Sequence, residues 1–302
     1  FAMPSTKSLV AAAAGAFAVG GLMAWTMARK KARQESDISL VIFDKDGTLI
    51  HFDAMWSGWM EQTVDAINDA LRGRFPRGDV AVDSAKVRAA IFDAMGYDPV
   101  AKKAISKKPL ACAPMPLLRQ TTKEAVAAAC PELEDAVIET AMVTGWDREV
   151  DWVALAHPRG DLRALFLWLK NELKVKIAVC TTDDYEPTIL TLKAFNCLEL
   201  VEVVVCGDKP GPPLPAKPSP EQLRHICREA GVDLKRDGVV MVGDTVTDMK
   251  MGQAAGMIMN IGVLGGASTV ADLSEEADVL IPDLDHLPKL LSRISDNRET
   301  WL

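Results

Sequence analysis

Short apolar runs recur along this chain, each ending at a polar or turn-forming residue. They lie at 40–43, 175–180, 201–206, 239–243 and 257–261, with a weaker sixth at 278–281. Four or more apolar residues in a row, without polar alternation, suit a strand buried on both faces. Helical patterns separate the runs. Residues 161–173 put Leu162, Leu165, Phe166, Leu169 and Leu173 on one stripe. Ser219-Pro220-Glu221-Gln222 reads as a helix start, with an N-cap, a first-turn proline and a capping-box partner, and that helix should stop at Gly231. Another helix should run from about Val246 to Gly256. Strands alternating with helices predict an α/β fold with a Rossmann-like parallel sheet core, helices on both faces.

Residues 53–156 break that rhythm. Strand signals are scarce, and Asp53 precedes a helical stripe of Trp56, Met60, Val64, Ile67 and Leu71. Further helices are expected near 83–95 and 120–143. The segment reads as an all-helical insertion between the first and second core strands, with Trp56 and Trp59 in its own core. Lys102, Lys103, Lys107 and Lys108 form a basic run, read as a solvated helix face. Residues 207–216 hold four prolines and two glycines and read as a loop. The organisation predicted is 1–34 as an N-terminal flank, 35–52 as the first strand and its loop, 53–156 as a helical cap, and 157–302 as the rest of the core.

In the flank, residues 9–28 carry no charge and match the length of a bilayer-spanning transmembrane helix. Arg29, Lys30, Lys31 and Arg33 follow at once, while only Lys7 precedes. A secretory signal has its positive charge in front. The order here predicts a membrane anchor with the globular part on the positive-inside face. A targeting segment and a peripheral helix are the rival readings. Ala12, Ala16, Gly20, Ala24 and Ala28 fall on one drifting stripe, which suits packing against another membrane helix in a homodimer or membrane-protein complex.

The formal net charge is −8, and residues 1–33 contain five basic residues and no acid, so the body is more acidic than the total suggests. An acidic body argues against a nucleic-acid partner. The six cysteines, Cys112, Cys130, Cys180, Cys197, Cys206 and Cys227, form no C-x-x-C pair. They point to a reducing compartment, with Cys180 and Cys206 as buried core thiols.

Candidate chemistry sits where the runs end. Phe43-Asp44-Lys45-Asp46-Gly47-Thr48-Leu49 follows the first run. Parallel sheets bind ligands outside the carboxyl ends of their strands. D-x-D alone reads better as a solvated Asp-Gly turn; the full string reads as a site. Gly243-Asp244 through Asp248 ends another run, and a helix starting there would keep Asp244 and Asp248 on one face. Four carboxylates in one crevice repel unless a cation sits among them, and hard oxygen ligands point to Mg²⁺. Lys217, just before the helix start, would offset their charge and grip a phosphate oxygen. Lys209-Pro210 competes with Lys217-Pro218, but no helix start follows it. Thr181 and Thr182 follow the second run and offer a hydroxyl.

These motifs, in this order, resemble the haloacid dehalogenase-like superfamily, in its phosphatase branch with a helical cap after the first motif, phosphoglycolate phosphatase-like. The resemblance covers about 39–290, and the second motif, Ala178-Val-Cys-Thr181, selects Thr181 over Thr182. It implies a hydrolase in which Asp44 is the nucleophile and Asp46 the general acid and base. It implies Mg²⁺ held by the Asp44 and Asp244 carboxylates and the Asp46 carbonyl, with Asp248 supporting, and phosphate bound by Thr181 and Lys217. The expected substrate is a small phosphorylated metabolite, 2-phosphoglycolate or a small sugar phosphate being the family's usual case. With the anchor, this predicts a membrane-bound phosphatase, on the matrix side of a mitochondrial inner membrane rather than in a plastid or bacterial membrane. The alternative is an accessory or structural subunit of an organellar membrane complex that keeps this fold as scaffold.

Overall fold

A computed structural model describes residues 37–74, 82–208 and 214–296. The proposed anchor at 9–28 and the competing pair Lys209-Pro210 lie outside these residues. No described helix is long and apolar enough to cross a membrane.

Six parallel strands form the core sheet: β1 (Ile38–Phe43), β4 (Lys176–Cys180), β5 (Val203–Val205), β6 (Gly238–Gly243), β7 (Met259–Val263) and β8 (Val279–Ile281), in the order β5-β4-β1-β6-β7-β8. Each apolar run of the sequence supplies one of them. β1 is central, paired with β4 and β6. Successive side chains point to opposite faces. Val41 and Phe43 pack on one side, with Leu165, Phe166 and Leu169 of α7 (Leu162–Asn171). Leu40 and Ile42 pack on the other, with Leu223 and Ile226 of α9 (Glu221–Glu229) and Met251 of α10 (Val246–Ala255). All four side chains are fully buried, and burial of each contributes roughly 1.5–3 kcal/mol. Cys180 and Cys206 are buried, as expected.

The insertion runs from α1 (Phe52–Arg74) through α2 (Ser84–Met95), α3 (Pro109–Cys112), α4 (Met115–Ala129) and α5 (Asp135–Gly145) to α6 (Trp152–Leu155). It has its own apolar core, where the predicted stripe of α1 meets α2, α4 and α5. Trp59 lies edge-on to Trp146, centroids 4.9 Å apart, and to Trp56 at 5.3 Å.

Three expectations need correction. The insertion is not wholly helical, because β2 (Tyr97–Asp98) and β3 (Lys103–Ala104) pair antiparallel. The basic run therefore sits on a hairpin and turn, with Lys102 and Lys107 at positive φ. The turn meets the core: Lys107 forms an ion pair with Asp272, which also accepts from Ser106 Oγ at 3.2 Å. The single helix expected near 120–143 is two, because Pro131 has no N–H to continue α4. The helix after Lys217 begins at Glu221, not at the proline; Pro220 is its N-cap residue, and Ser219 Oγ accepts from the Glu221 N–H at 3.5 Å.

Candidate active site

The carboxyl ends of β1, β4 and β6 open under the cap. Asp44 follows β1 directly, and its N–H extends the ladder by donating to the Val242 carbonyl at 2.9 Å. That bond sets the direction of its side chain. Oδ1 of Asp44 accepts from Lys217 Nζ at 2.7 Å, while Oδ2 is buried with no hydrogen-bond partner.

Asp244 follows β6 and is fully buried. Thr48 Oγ1 donates to its Oδ1 at 3.0 Å, and the Ala267 N–H to its Oδ2 at 2.7 Å. Asp248 is the third residue of α10, whose N-cap is Thr245. The Thr245 N–H and hydroxyl both donate to Asp248 Oδ2, and Lys217 Nζ donates to Oδ1 at 2.7 Å. Asp244 and Asp248 meet, but not by the expected route. The helix starts after Asp244, so the two share no helix face; the capping box folds Asp248 back toward the strand end.

One oxygen each from Asp44, Asp244 and Asp248 lie within 4.8 Å of one another. Three carboxylates face one ammonium, leaving two negative charges in excess. A divalent cation matches that excess, all-oxygen donors suit Mg²⁺, and Asp44 Oδ2 lacks the partner that buried polar atoms normally have. The residues therefore fit the ion. Burial raises the Asp44 carboxyl above its ordinary range, against the opposing pull of Lys217. Burial, then the charges of Asp44 and Asp248, raise Asp244 well above its own. Lys217 is raised well above a normal lysine, because the attraction of Asp248 and Asp44 overcomes its burial.

The Asp46 carboxylate is not in that cluster. It lies at the cavity and accepts from Lys45 Nζ at 2.7 Å. Burial, against the attraction of Lys45, pushes its pKa up to about 7. A metal role for Asp46 is left to its backbone carbonyl. Lys45 is only 2% exposed and also pairs with Asp183 at 2.7 Å. Sequence reasoning passed over both residues. The available signal was a lysine inside a buried acidic string, which needs more than one counter-charge to be tolerated. Asp183→Asn removes one of them, and the expected cost is about 1–3 kcal/mol, read as a lower denaturation midpoint with an unchanged slope.

Arg159 was also missed. It is 8% exposed, and its guanidinium donates to the carbonyls of Gly47 and Leu264, tying the first loop to the end of β7. Thr181 lies at the end of β4, where its hydroxyl accepts from the Asp183 N–H at 3.1 Å. Thr182 lines the cavity.

Glycine is required at position 47. Its φ is +90°, and a Cβ there would lie 2.2 Å from Asp244 Oδ2. Gly47→Ala carries a left-handed backbone penalty of roughly 1–2 kcal/mol before the clash. It should also displace Asp244, so thermal stability and any activity of the site should fall together.

Above the acids is a cavity of about 60 Å³, with Phe52, Trp56, Leu110, Ala111 and Ala113 on the cap side and Asp44, Asp46, Lys217 and Thr245 among the core side. Trp56, expected in the cap core, belongs to both that core and the cavity wall.

A family model described as haloacid dehalogenase-like hydrolase matches residues 38–256. A plasmid-borne phosphoglycolate phosphatase of Cupriavidus necator is 30% identical over 174 residues, covering 54% of this chain and 73% of that protein. Among solved structures, a predicted phosphoglycolate phosphatase from Haemophilus somnus has a TM-score of 0.54 at 19% identity, covering 85% of this chain and 99% of that one. A HAD-superfamily hydrolase from Geobacter sulfurreducens has a TM-score of 0.54 at 17% identity, over 85% and 98%. At such identities the structural likeness is one of fold.

Proposed function

The chain belongs to the haloacid dehalogenase-like hydrolase family and is a phosphatase; on that premise we propose that it hydrolyses a small phosphomonoester with the help of Mg²⁺, through an aspartyl-phosphate on Asp44. The observation that carries this is the convergence of Asp44, Asp244 and Asp248 on one point, with Lys217 as their cation and Asp44 Oδ2 unpartnered.

In the first step an Asp44 oxygen bonds to phosphorus as the bond to the leaving oxygen breaks. Asp46, at the cavity and held by Lys45, supplies the proton that the leaving oxygen needs. In the second, Asp46 takes a proton from water as the water oxygen attacks the aspartyl-phosphate, releasing phosphate and restoring Asp44. Lys217 offsets charge on the transferred group, and Thr181 is the candidate hydroxyl donor from β4. Asp44, Asp244 and Asp248 would hold Mg²⁺, which would supply positive charge to offset that of the transferred group. The cap closes over the acids and limits water.

The purified protein should hydrolyse p-nitrophenyl phosphate in the presence of Mg²⁺. Excess EDTA should reduce turnover to background, and Mg²⁺ in excess of EDTA should restore it. Turnover unaffected by EDTA would remove the metal from this reading.

We also propose that residues 9–28 anchor the enzyme to an organellar membrane, on the strength of their uncharged length and the basic residues that follow. Release of the full chain by alkaline carbonate counts against an anchor.

A further inference from the structure

The cap side of the cavity offers a leaving group almost nothing polar. Phe52 and Trp56 come from α1, Leu110 and Ala111 from α3, and Ala113 follows it. The one polar atom among these side chains is the Trp56 indole Nε1, which is buried and has no hydrogen-bond partner. Among the described residues, Lys217 is the only cation lining the cavity, and it is committed to Asp44 and Asp248. In the nearby basic turn, Lys103 lies 3.8 Å from Asp53 and Lys107 pairs with Asp272.

We propose that the leaving group is uncharged and apolar where it meets Phe52, Trp56, Leu110, Ala111 and Ala113, so that phosphomonoesters carrying a carboxylate are poor substrates. The proposal rests on the phosphatase reading and narrows it. A carboxylate entering this wall loses its hydration and, among the described residues that line it, finds no counter-charge. A branched alkyl group of the same outline gains contact instead. The similar phosphatase of Cupriavidus necator is named for phosphoglycolate, a phosphomonoester that carries such a carboxylate.

The test compares two esters of nearly equal shape, isobutyl phosphate and phosphoglycolate, with p-nitrophenyl phosphate as reference, on the full-length protein with Mg²⁺. The value of kcat/KM for isobutyl phosphate should exceed that for phosphoglycolate at least tenfold. Ala113→Arg, at a half-buried position on the cavity edge, should shift the ratio toward phosphoglycolate by tenfold or more. Equal or faster turnover of phosphoglycolate by the wild type overturns the proposal and leaves the phosphatase reading standing. So does hydrolysis of the reference with neither small ester turned over, or a ratio unmoved in folded Ala113→Arg. No turnover of any ester removes the phosphatase reading itself, and the proposal with it.

Discussion

Asp44→Asn should abolish phosphatase turnover while making the metal-free protein more resistant to heat. The two effects share one cause. The side chain keeps its shape, so the ladder bond from the Asp44 N–H and the packing of β1 are untouched. What disappears is the nucleophilic carboxylate, and loss of a nucleophile lowers kcat by at least roughly 10⁴-fold. What also disappears is one of three negative charges crowded within 4.8 Å. Burial already raises the Asp44 carboxyl, so its ionised form is disfavoured in the folded state relative to the unfolded chain. By linkage that penalty is absent at acid pH and grows as pH rises through the range where the carboxyl ionises. Removing the charge therefore stabilises the metal-free protein at neutral pH and changes little in acid. The response to Mg²⁺ should shrink in the variant, because a ligand charge is gone. Thermal melts with and without Mg²⁺, beside p-nitrophenyl phosphate assays, separate these outcomes. Normal turnover in Asp44→Asn would sink the mechanism whatever the fold.

Strands of a parallel sheet covered on both faces read as near-continuous apolar runs. The runs at 40–43 and 239–243 thus announced β1 and β6, and with them the strand ends on which Asp44 and Asp244 sit. Helix ends marked by glycine were equally legible: Gly231 and Gly256 both adopt positive φ just beyond α9 and α10. The hairpin at 97–104 was not, because two-residue strands have no periodicity to detect. The relation of Asp244 to Asp248 was read through the wrong geometry, since an acid at i and i+4 looks the same whether a helix begins before the first or after it. Lys45, Asp183 and Arg159 escaped for a different reason. Each is defined by partners far away in sequence, and a lone Lys or Arg in a string does not declare whether it is solvated or buried. The cavity wall is likewise a tertiary fact: Phe52 and Ala113 are distant in the chain and meet only once the cap has folded.

Lys217→Met should destabilise the protein more than any other single change at the site that leaves the backbone intact. Lys217 is 4% exposed and donates at 2.7 Å to both Asp44 and Asp248. Methionine fills most of its volume but supplies no donor and no charge, so both carboxylate oxygens lose their partner. Removing one member of a buried ion pair costs about 3–5 kcal/mol, because the remaining charge is left uncompensated. In a domain of this size that corresponds to a Tm lower by roughly 10 °C. Turnover should fall as well, by on the order of 10²–10³-fold, the usual loss when one stabilising donor is removed from a reacting group. A second consequence separates this account from a simple packing defect. Without the ammonium the cluster carries three negative charges instead of a net two, so a divalent cation has more to neutralise. The increase in Tm on adding Mg²⁺ should therefore be larger in Lys217→Met than in the wild type, even though the variant starts lower. A packing defect would depress both melts equally and leave the Mg²⁺ increment unchanged. A variant that melts like the wild type would mean that the ammonium does not hold the carboxylates, and the electrostatic account of the site would fall with it.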